Sequence, residues 1–382
     1  MKGRYWSVAA AMALGASCAH AQSSVTLYGL IDAGLMYTNN VKKGGSQGPL
    51  FQATSGNING SQFGVRGSED LGGGLKAVFT LENGFNIQNG KLGQNNRMFG
   101  RQAFVGLAQN DIGTLTAGRQ YDFVYDFVAP LSATSASFGK TGFAHPFDND
   151  NMDYSVRMSN AVKFTSARFA GFTFGGLYAF SNSSDFAVNR AYSAGVSYGA
   201  GPLNLAAAYL QINGSSSANT SGAIDPVEAA GNGVGGFQLG ADVQRTVAAG
   251  INYAFGPALV GFVYSHSQYQ GSKSFGSNGG TVRFDNYEVN GKYRVRPDLS
   301  VGVAYTYTDG HVTDSATYGA DPKWSQVNLQ AVYLLSKRTD LYLEGMYQHV
   351  SGHNYGAFIY TSGGASSTGN QVVATVGMRT RF

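Results

Sequence analysis

Val25-Thr26-Leu27-Tyr28-Gly29-Leu30-Ile31-Asp32-Ala33-Gly34-Leu35 decides how this chain is read. Val25, Leu27, Gly29, Ile31, Ala33 and Leu35 share one parity, while Thr26, Tyr28 and Asp32 share the other. A period of two places these sets on opposite faces of a β-strand. About sixteen short segments repeat the pattern, and the last ends on the terminal Phe382. A closed antiparallel barrel reads this way when lipid lies outside it and water inside.

The phase is consistent along the chain. Leu75, Ala77, Phe79 and Leu81 face outward, with Lys76, Thr80 and Glu82 inward. Tyr287, Val289, Tyr293 and Val295 oppose Glu288, Asn290, Lys292 and Arg294. Val327, Leu329 and Ala331 oppose Gln326, Asn328 and Gln330, and Val372, Ala374, Val376 and Met378 oppose Thr375, Arg379 and Arg381. Two segments read poorly: Arg101 shares parity with Val105 and Leu107, and Arg119 with Leu115 and Ala117. Either these strands bulge, or they face something other than lipid.

The connections alternate as well. Short Gly, Pro, Asp and Asn turns fall at Asp70–Gly74, Asn110–Gly113, Arg168–Gly171, Gly199–Pro202, Phe255–Pro257, Arg296–Asp298 and Ser336–Asp340. Between them lie longer polar stretches, near 39–60, 86–96, 120–159, 181–191, 212–241, 267–283, 308–323 and 349–370. The resulting fold class is all-β: a transmembrane antiparallel barrel of about 16 strands with long external loops and short periplasmic turns. Closure is a physical requirement, because an open sheet edge in hydrocarbon strands polar groups at several kcal/mol each.

Residues 1–21 read as a cleaved export signal: Lys2 and Arg4, an apolar run from Val8 to Cys18, then Ala19-His20-Ala21 before Gln22. A lipidated Cys18 is the competing reading, but Gly15-Ala16-Ser17 lacks the usual Leu three residues before the cysteine. Cys18 is the sole cysteine, so residues 22–382, the barrel domain, hold no disulfide and no thiolate metal site. Charged residues are 13% of the chain, half the usual share, whereas Gly numbers 54, Tyr 23 and Phe 24. Low charge with many aromatics suits thin strands with aromatic girdles. Without Lys2 and Arg4 the balance is 24 basic to 22 acidic residues, no footprint for nucleic acid.

The chain resembles the general diffusion porins of Gram-negative outer membranes, in their β-proteobacterial branch. The resemblance rests on Ser24-Val25-Thr26-Leu27-Tyr28-Gly29, Gly64 to Leu75, Arg101-Gln102-Ala103-Phe104-Val105-Gly106-Leu107, Gly118-Arg119-Gln120-Tyr121 and the terminal Arg381-Phe382. It implies a sixteen-stranded barrel, a homotrimer, and passive passage of small hydrophilic solutes and ions. It also implies partners: outer-membrane lipid and lipopolysaccharide, and the barrel-assembly machinery through Phe382. The third external loop, here 120–159, is expected to fold into the barrel and narrow it.

The resemblance further implies an eyelet of opposed charges. Its basic side carries Arg66, Arg101 and Arg119, with Arg157 and Lys163 after the loop. Its acidic side carries Asp122, Asp126, Asp148, Asp150 and Asp153. Gln62 departs from the pattern, since relatives often carry a basic residue there. Lys76, Glu82, Lys292 and Arg294 are further lumen charges, and Asp32, Asp242, Glu288 and Glu344 complete the acidic wall. The wall alone favours anions, but the loop acids oppose it, so the expected anion preference is weak.

Other motifs carry less. Gly195-Val196-Ser197-Tyr198-Gly199 fits G-x-S-x-G but sits inside an alternating strand, not at a strand-to-helix turn. Gly231-Asn232-Gly233-Val234-Gly235-Gly236 fits G-x-G-x-x-G without a following helix. His349 and His353 are four apart, yet Gly352 intervenes and no H-E-x-x-H helix exists. No enzyme, cofactor or metal site is expected. The alternatives to general diffusion are a channel for one substrate class and a surface adhesin acting through its loops.

Overall fold

The computed structural model describes residues 24–43, 46–134, 138, 142–214, 218–225 and 240–382. The export signal with Cys18 and the Gly231–Gly236 run lie outside the described residues. The strands are β1 (Ser24–Lys43), β2 (Ser46–Ser55), β3 (Gln62–Gly72), β4 (Leu75–Gly84), β5 (Gln102–Gln109), β6 (Gly113–Gln120), β7 (Met158–Ser166), β8 (Phe172–Ala179), β9 (Arg190–Ala200), β10 (Leu203–Asn213), β11 (Val243–Phe255), β12 (Ala258–Ser272), β13 (Gly280–Arg296), β14 (Leu299–Val312), β15 (Lys323–Leu334), β16 (Thr339–Ser351) and β17 (Asn370–Arg381).

β1 pairs antiparallel with β2, from β3 onward each strand pairs antiparallel with the next, and β17 returns to β1 with Leu30 opposite Arg381 and Thr38 opposite Val373. On its other edge β1 meets β3 through Ser24–Leu30 and β2 through Ala33–Lys43. β2 and β3 therefore share one place in the wall, and the barrel has sixteen wall strands. Val25, Leu27, Val289, Leu329 and Met378 are exposed on the outside, as their parity requires. Glu288, Gln326, Glu344 and Thr375 face the bore. No helix among the described residues is long and apolar enough to cross a membrane. The strands do the crossing, because a sheet closed on itself pairs its backbone groups between neighbouring strands.

Three expectations change. The stretch 39–60 is mostly wall and not an external loop: β1 runs to Lys43 and β2 starts at Ser46. Residues 267–283 are likewise largely β12 and β13. Polar side chains do not end a ladder, since backbone groups gain from pairing wherever the neighbour strand continues. The third change concerns the two poorly alternating segments. β6 is bulged, with its register against β7 shifting between Gly118 and Gln120, and this re-aims Arg119. Arg101 simply precedes β5, and its N–H reaches the Glu82 carbonyl at 3.2 Å.

Among the turns, Gly72, Gly73 and Gly74 hold φ of +89°, +60° and +81°, a run that only glycine adopts without strain. Gly195–Gly199 lies within β9, so Ser197 is no nucleophile elbow.

The barrel seam is closed by the last residue. Phe382 donates its N–H to the Gly29 carbonyl at 3.0 Å and accepts from the Gly29 N–H at 3.1 Å. Its ring covers Gly29 so closely that a methyl group there would lie 2.3 Å from the ring. Gly29→Val is therefore expected to expel the ring from the seam and lower the folded fraction. Heat-modifiability on a gel reads this; a normal folded band would reject the seam role.

Candidate functional site: the folded-in loop and its charges

The described residues between Tyr121 and Arg157 leave β6 and lie inside the barrel before β7 begins. Phe123, Val124, Val128, Ala129, Ala133, Phe143 and Met152 are almost fully buried, although they belong to a connection. Phe123, Val124, Val128, Ala129 and Met152 pack on the bore-facing side of β9 to β12, where Ala191, Ala206, Ala208, Ala248 and Val263 complete one apolar cluster, whereas Ala133 and Phe143 join Phe138, Ala304 and Met346 in a second. Inward glycines seat the loop. A methyl group on Gly175 would lie 2.2 Å from the Phe123 ring, on Gly195 2.9 Å from Phe127, and on Gly302 1.9 Å from Phe138.

Polar tethers hold the loop across half the wall. Ser193 Oγ accepts from the Phe123 N–H at 3.0 Å, and Asn290 Nδ2 donates to the Leu131 carbonyl at 3.0 Å. Gln326 donates to the Gly142 carbonyl at 2.7 Å and Gln330 to the Phe138 carbonyl at 2.5 Å. Glu288 is the densest anchor. It accepts from Ser132 Oγ and the Ala133 N–H, both at 2.8 Å, and from Asn290 Nδ2 at 2.6 Å. His145 lies between Glu288, at 3.2 Å from Nε2, and Asp150, at 2.6 Å from Nδ1. Burial opposes charge on this imidazole, but the two carboxylates outweigh it and push its pKa up to about 10.

The five loop acids divide. Asp122 is buried and staples the loop start, accepting from the Val124 N–H at 2.7 Å and Asn151 Nδ2 at 2.7 Å. Burial lifts its pKa to about 6. Asp148 is buried and accepts the N–H groups of Asp153 at 2.8 Å and Ser155 at 2.9 Å; burial and then Asp153 raise its pKa well above the ordinary value. Asp150 is buried against His145 and Ser265. Asp153 is nearly buried, and Asp126, about one third exposed, pairs with Lys163. Three of the five thus turn into the loop fabric.

The basic residues divide too. Arg101 donates from Nε to Glu82 at 2.7 Å and from Nη1 to the Tyr154 hydroxyl at 3.3 Å. Its guanidinium lies over the Tyr154 ring at 4.9 Å, and that of Arg157 lies over the same ring at 4.6 Å. Two cations thus converge on one loop tyrosine, with Tyr121 and Tyr125 packed beside it. Arg66 is exposed to the bore, its guanidinium 5.2 Å from the Tyr28 ring. Arg119 is a brace, donating to the Gly100 carbonyl at 2.7 Å and Ser159 Oγ at 2.8 Å. Lys163 clamps the loop start, donating to the Tyr121 carbonyl at 2.8 Å. Gln62 and Tyr28 both donate to Glu82, at 3.3 and 2.9 Å. Lys76 stands on β4 toward the turn end, opposite Asp70 in the ladder. Lys292 and Arg294 line a separate chamber with Arg379 and Arg381.

Sequence reasoning missed one element. Between β2 and β3, Gly56-Asn57-Ile58-Asn59-Gly60 folds across the bore-facing wall. Asp32 accepts the N–H groups of Ile58 and Asn59 at 2.9 and 2.8 Å and the Tyr342 hydroxyl at 2.5 Å. Ile58 is fully buried against Val332 and Tyr342. The available signal was a turn-rich Gly-Asn-Ile-Asn-Gly run, with one buried-type residue at its centre. Tyr154 and Tyr121 were missed as well, since nothing local marks a loop tyrosine as a partner of Arg101.

A sealed cylinder of sixteen strands, apolar outside and charged within, with a connection packed into its bore, defines an outer-membrane diffusion pore. A family profile described as Gram-negative porin matches residues 7–353. An outer membrane porin protein of Bordetella pertussis is 35% identical over 371 residues, spanning 89% of this chain and 93% of that relative. An outer membrane porin protein 32 of Delftia acidovorans is 28% identical, spanning 88% and 86%. Among solved structures, an anion-selective porin from Comamonas acidovorans superposes with a TM-score of 0.74 at 24% identity, covering 94% of this chain and all of that one. The chain belongs to the Gram-negative porin family. It is a passive outer-membrane diffusion channel for small hydrophilic solutes and ions, and its relatives are channels, not enzymes.

Proposed function

We propose that this porin passes anions in preference to cations, through an eyelet bounded by the 120–159 loop and the wall at Arg66, Arg101 and Arg157. One observation carries the reading. The loop acids that would cancel the basic wall are largely spent inside the loop: Asp122, Asp148 and Asp150 are fully buried and engaged by loop and wall donors. Arg66 keeps its guanidinium in the open bore. A ring of charge at a narrow opening sets ion preference, and here the uncancelled sign is positive. The Comamonas acidovorans porin, whose barrel superposes on this one, is anion-selective, which supports the same sign.

The family resemblance further supports a homotrimer, export and cleavage after Ala21, contact with outer-membrane lipid and lipopolysaccharide, assembly through Phe382, and no catalytic role. Purified protein in a planar bilayer tests the channel reading: the expected record is ohmic steps with a reversal potential displaced toward chloride across a potassium chloride gradient. Displacement toward potassium would overturn the preference. Chemical cross-linking in detergent tests assembly, with a trimer band expected.

A further inference from the structure

On the turn side of the folded-in loop lies a chamber of about 620 Å³. Phe138 of the loop and Asn59 of the inward bracket border it. Lys292 and Arg294 of β13 enter it from one wall, and Arg379 and Arg381 of β17 from the other. The acids present are already engaged. Asp340, fully buried, is held by Arg379 Nη2 at 3.1 Å and Arg381 Nη1 at 2.9 Å, and Asp298 is held by Arg296 at 3.1 Å. Arg379 and Arg294 lie close enough to Lys292 to repel it, and Asp340, already shared by Arg379 and Arg381, offsets part of that repulsion. Arg294 makes no ion pair among the described residues.

Like charges gathered in a water-filled pocket are stabilised by a counter-charge that bridges them. A doubly charged oxyanion does so better than two chloride ions, since its oxygens accept from several donors at once. Arg379 is also fixed by the Asn59 side chain, which pre-organises that wall. We infer that this chamber is a binding subsite for a small dianionic oxyanion of the phosphate class, distinct from the eyelet at Arg101 and loaded from the turn side. The inference rests on the anion-channel reading and adds a preferred class of solute and a resting place along its path.

The experiment uses the full mature protein in planar bilayers with chloride as current carrier and inorganic phosphate as probe. Phosphate at millimolar concentration is expected to reduce the chloride current, more strongly from the turn side than from the loop side. Acetate at equal ionic strength is the singly charged control and is expected to have little effect. In Lys292→Gln/Arg294→Gln the half-inhibiting phosphate concentration is expected to rise about tenfold, the loss of roughly one charge-assisted contact. Lys292→Arg/Arg294→Lys keeps the charge and is expected to keep the inhibition, which separates lost charge from a disturbed fold. Absence of phosphate inhibition, equal inhibition by acetate, or an unchanged half-inhibiting concentration in the double glutamine variant would each overturn the subsite. A chloride-directed reversal potential with no phosphate effect would defeat the subsite alone, and a potassium-directed one would defeat the channel preference itself.

Discussion

Arg101→Glu is expected to reverse the ion preference of the pore. The guanidinium sits where wall and loop meet, bound to Glu82 at 2.7 Å and lying over Tyr154. Substitution changes the local charge by two units and leaves two carboxylates side by side. A unit charge acts on an ion about 4 Å away with about 4 kcal/mol at an effective dielectric of about 20. Water and salt in the opening screen most of this, yet about 1.4 kcal/mol already amounts to tenfold. The anion-to-cation permeability ratio, read from the reversal potential, is expected to fall about tenfold. Arg101→Gln, with one unit removed, is expected to lie between. An unmoved reversal potential in Arg101→Glu would remove this residue from the eyelet. Arg119 offers the contrast: its guanidinium braces Gly100 and Ser159, so Arg119→Gln is expected to reduce stability far more than selectivity.

The second large effect concerns the anchor of the loop. Glu288→Ala leaves the Ser132 hydroxyl, the Ala133 N–H and His145 without their shared acceptor in a buried place. Each buried donor so abandoned costs about 1–3 kcal/mol. The loop is expected to lift from β13, and single-channel current is expected to become noisier and to rise by roughly twofold, as a constriction that limits passage opens. Quiet wild-type steps in this variant would show that Glu288 does not hold the loop. The same anchor carries a pH signature. His145 has a folded pKa of about 10, above the ordinary value near 6.5. Its contribution is complete below about pH 6.5 and is lost as pH rises through about 10. Channel noise is therefore expected to increase on the alkaline side, and His145→Gln is expected to abolish that dependence.

The outer skin of the barrel was legible residue by residue. Val25, Leu27 and Leu35 on β1 or Val289 and Tyr293 on β13 declare their face through parity alone, because neighbouring side chains on a strand must point opposite ways. The places where parity failed carried information too. Arg119 broke the pattern because β6 bulges there, and bulges recur where a side chain must be re-aimed. The loop path was only half legible. Gly175, Gly195 and Gly302 stand at bore-facing positions where a water-filled pore has no need of glycine, and each admits a ring of the loop. Bore-facing glycines therefore signal that something packs there, without naming it.

The acids of the loop were the least legible part. Asp122 and Asp126 stand four residues apart with similar neighbours, yet one is a buried staple and the other a half-open partner of Lys163. No local pattern separates them, because their roles depend on Asn151 and on β7. What the chain settles alone is whatever one strand and its backbone hydrogen bonds require: which residues meet lipid, where turns fall, and that the sheet must close on itself. What tertiary structure decided is which charges remain in the bore. That outcome depends on contacts such as Glu288 with His145 and Asp32 with Tyr342, whose partners lie far apart along the chain and meet only after the cylinder has closed.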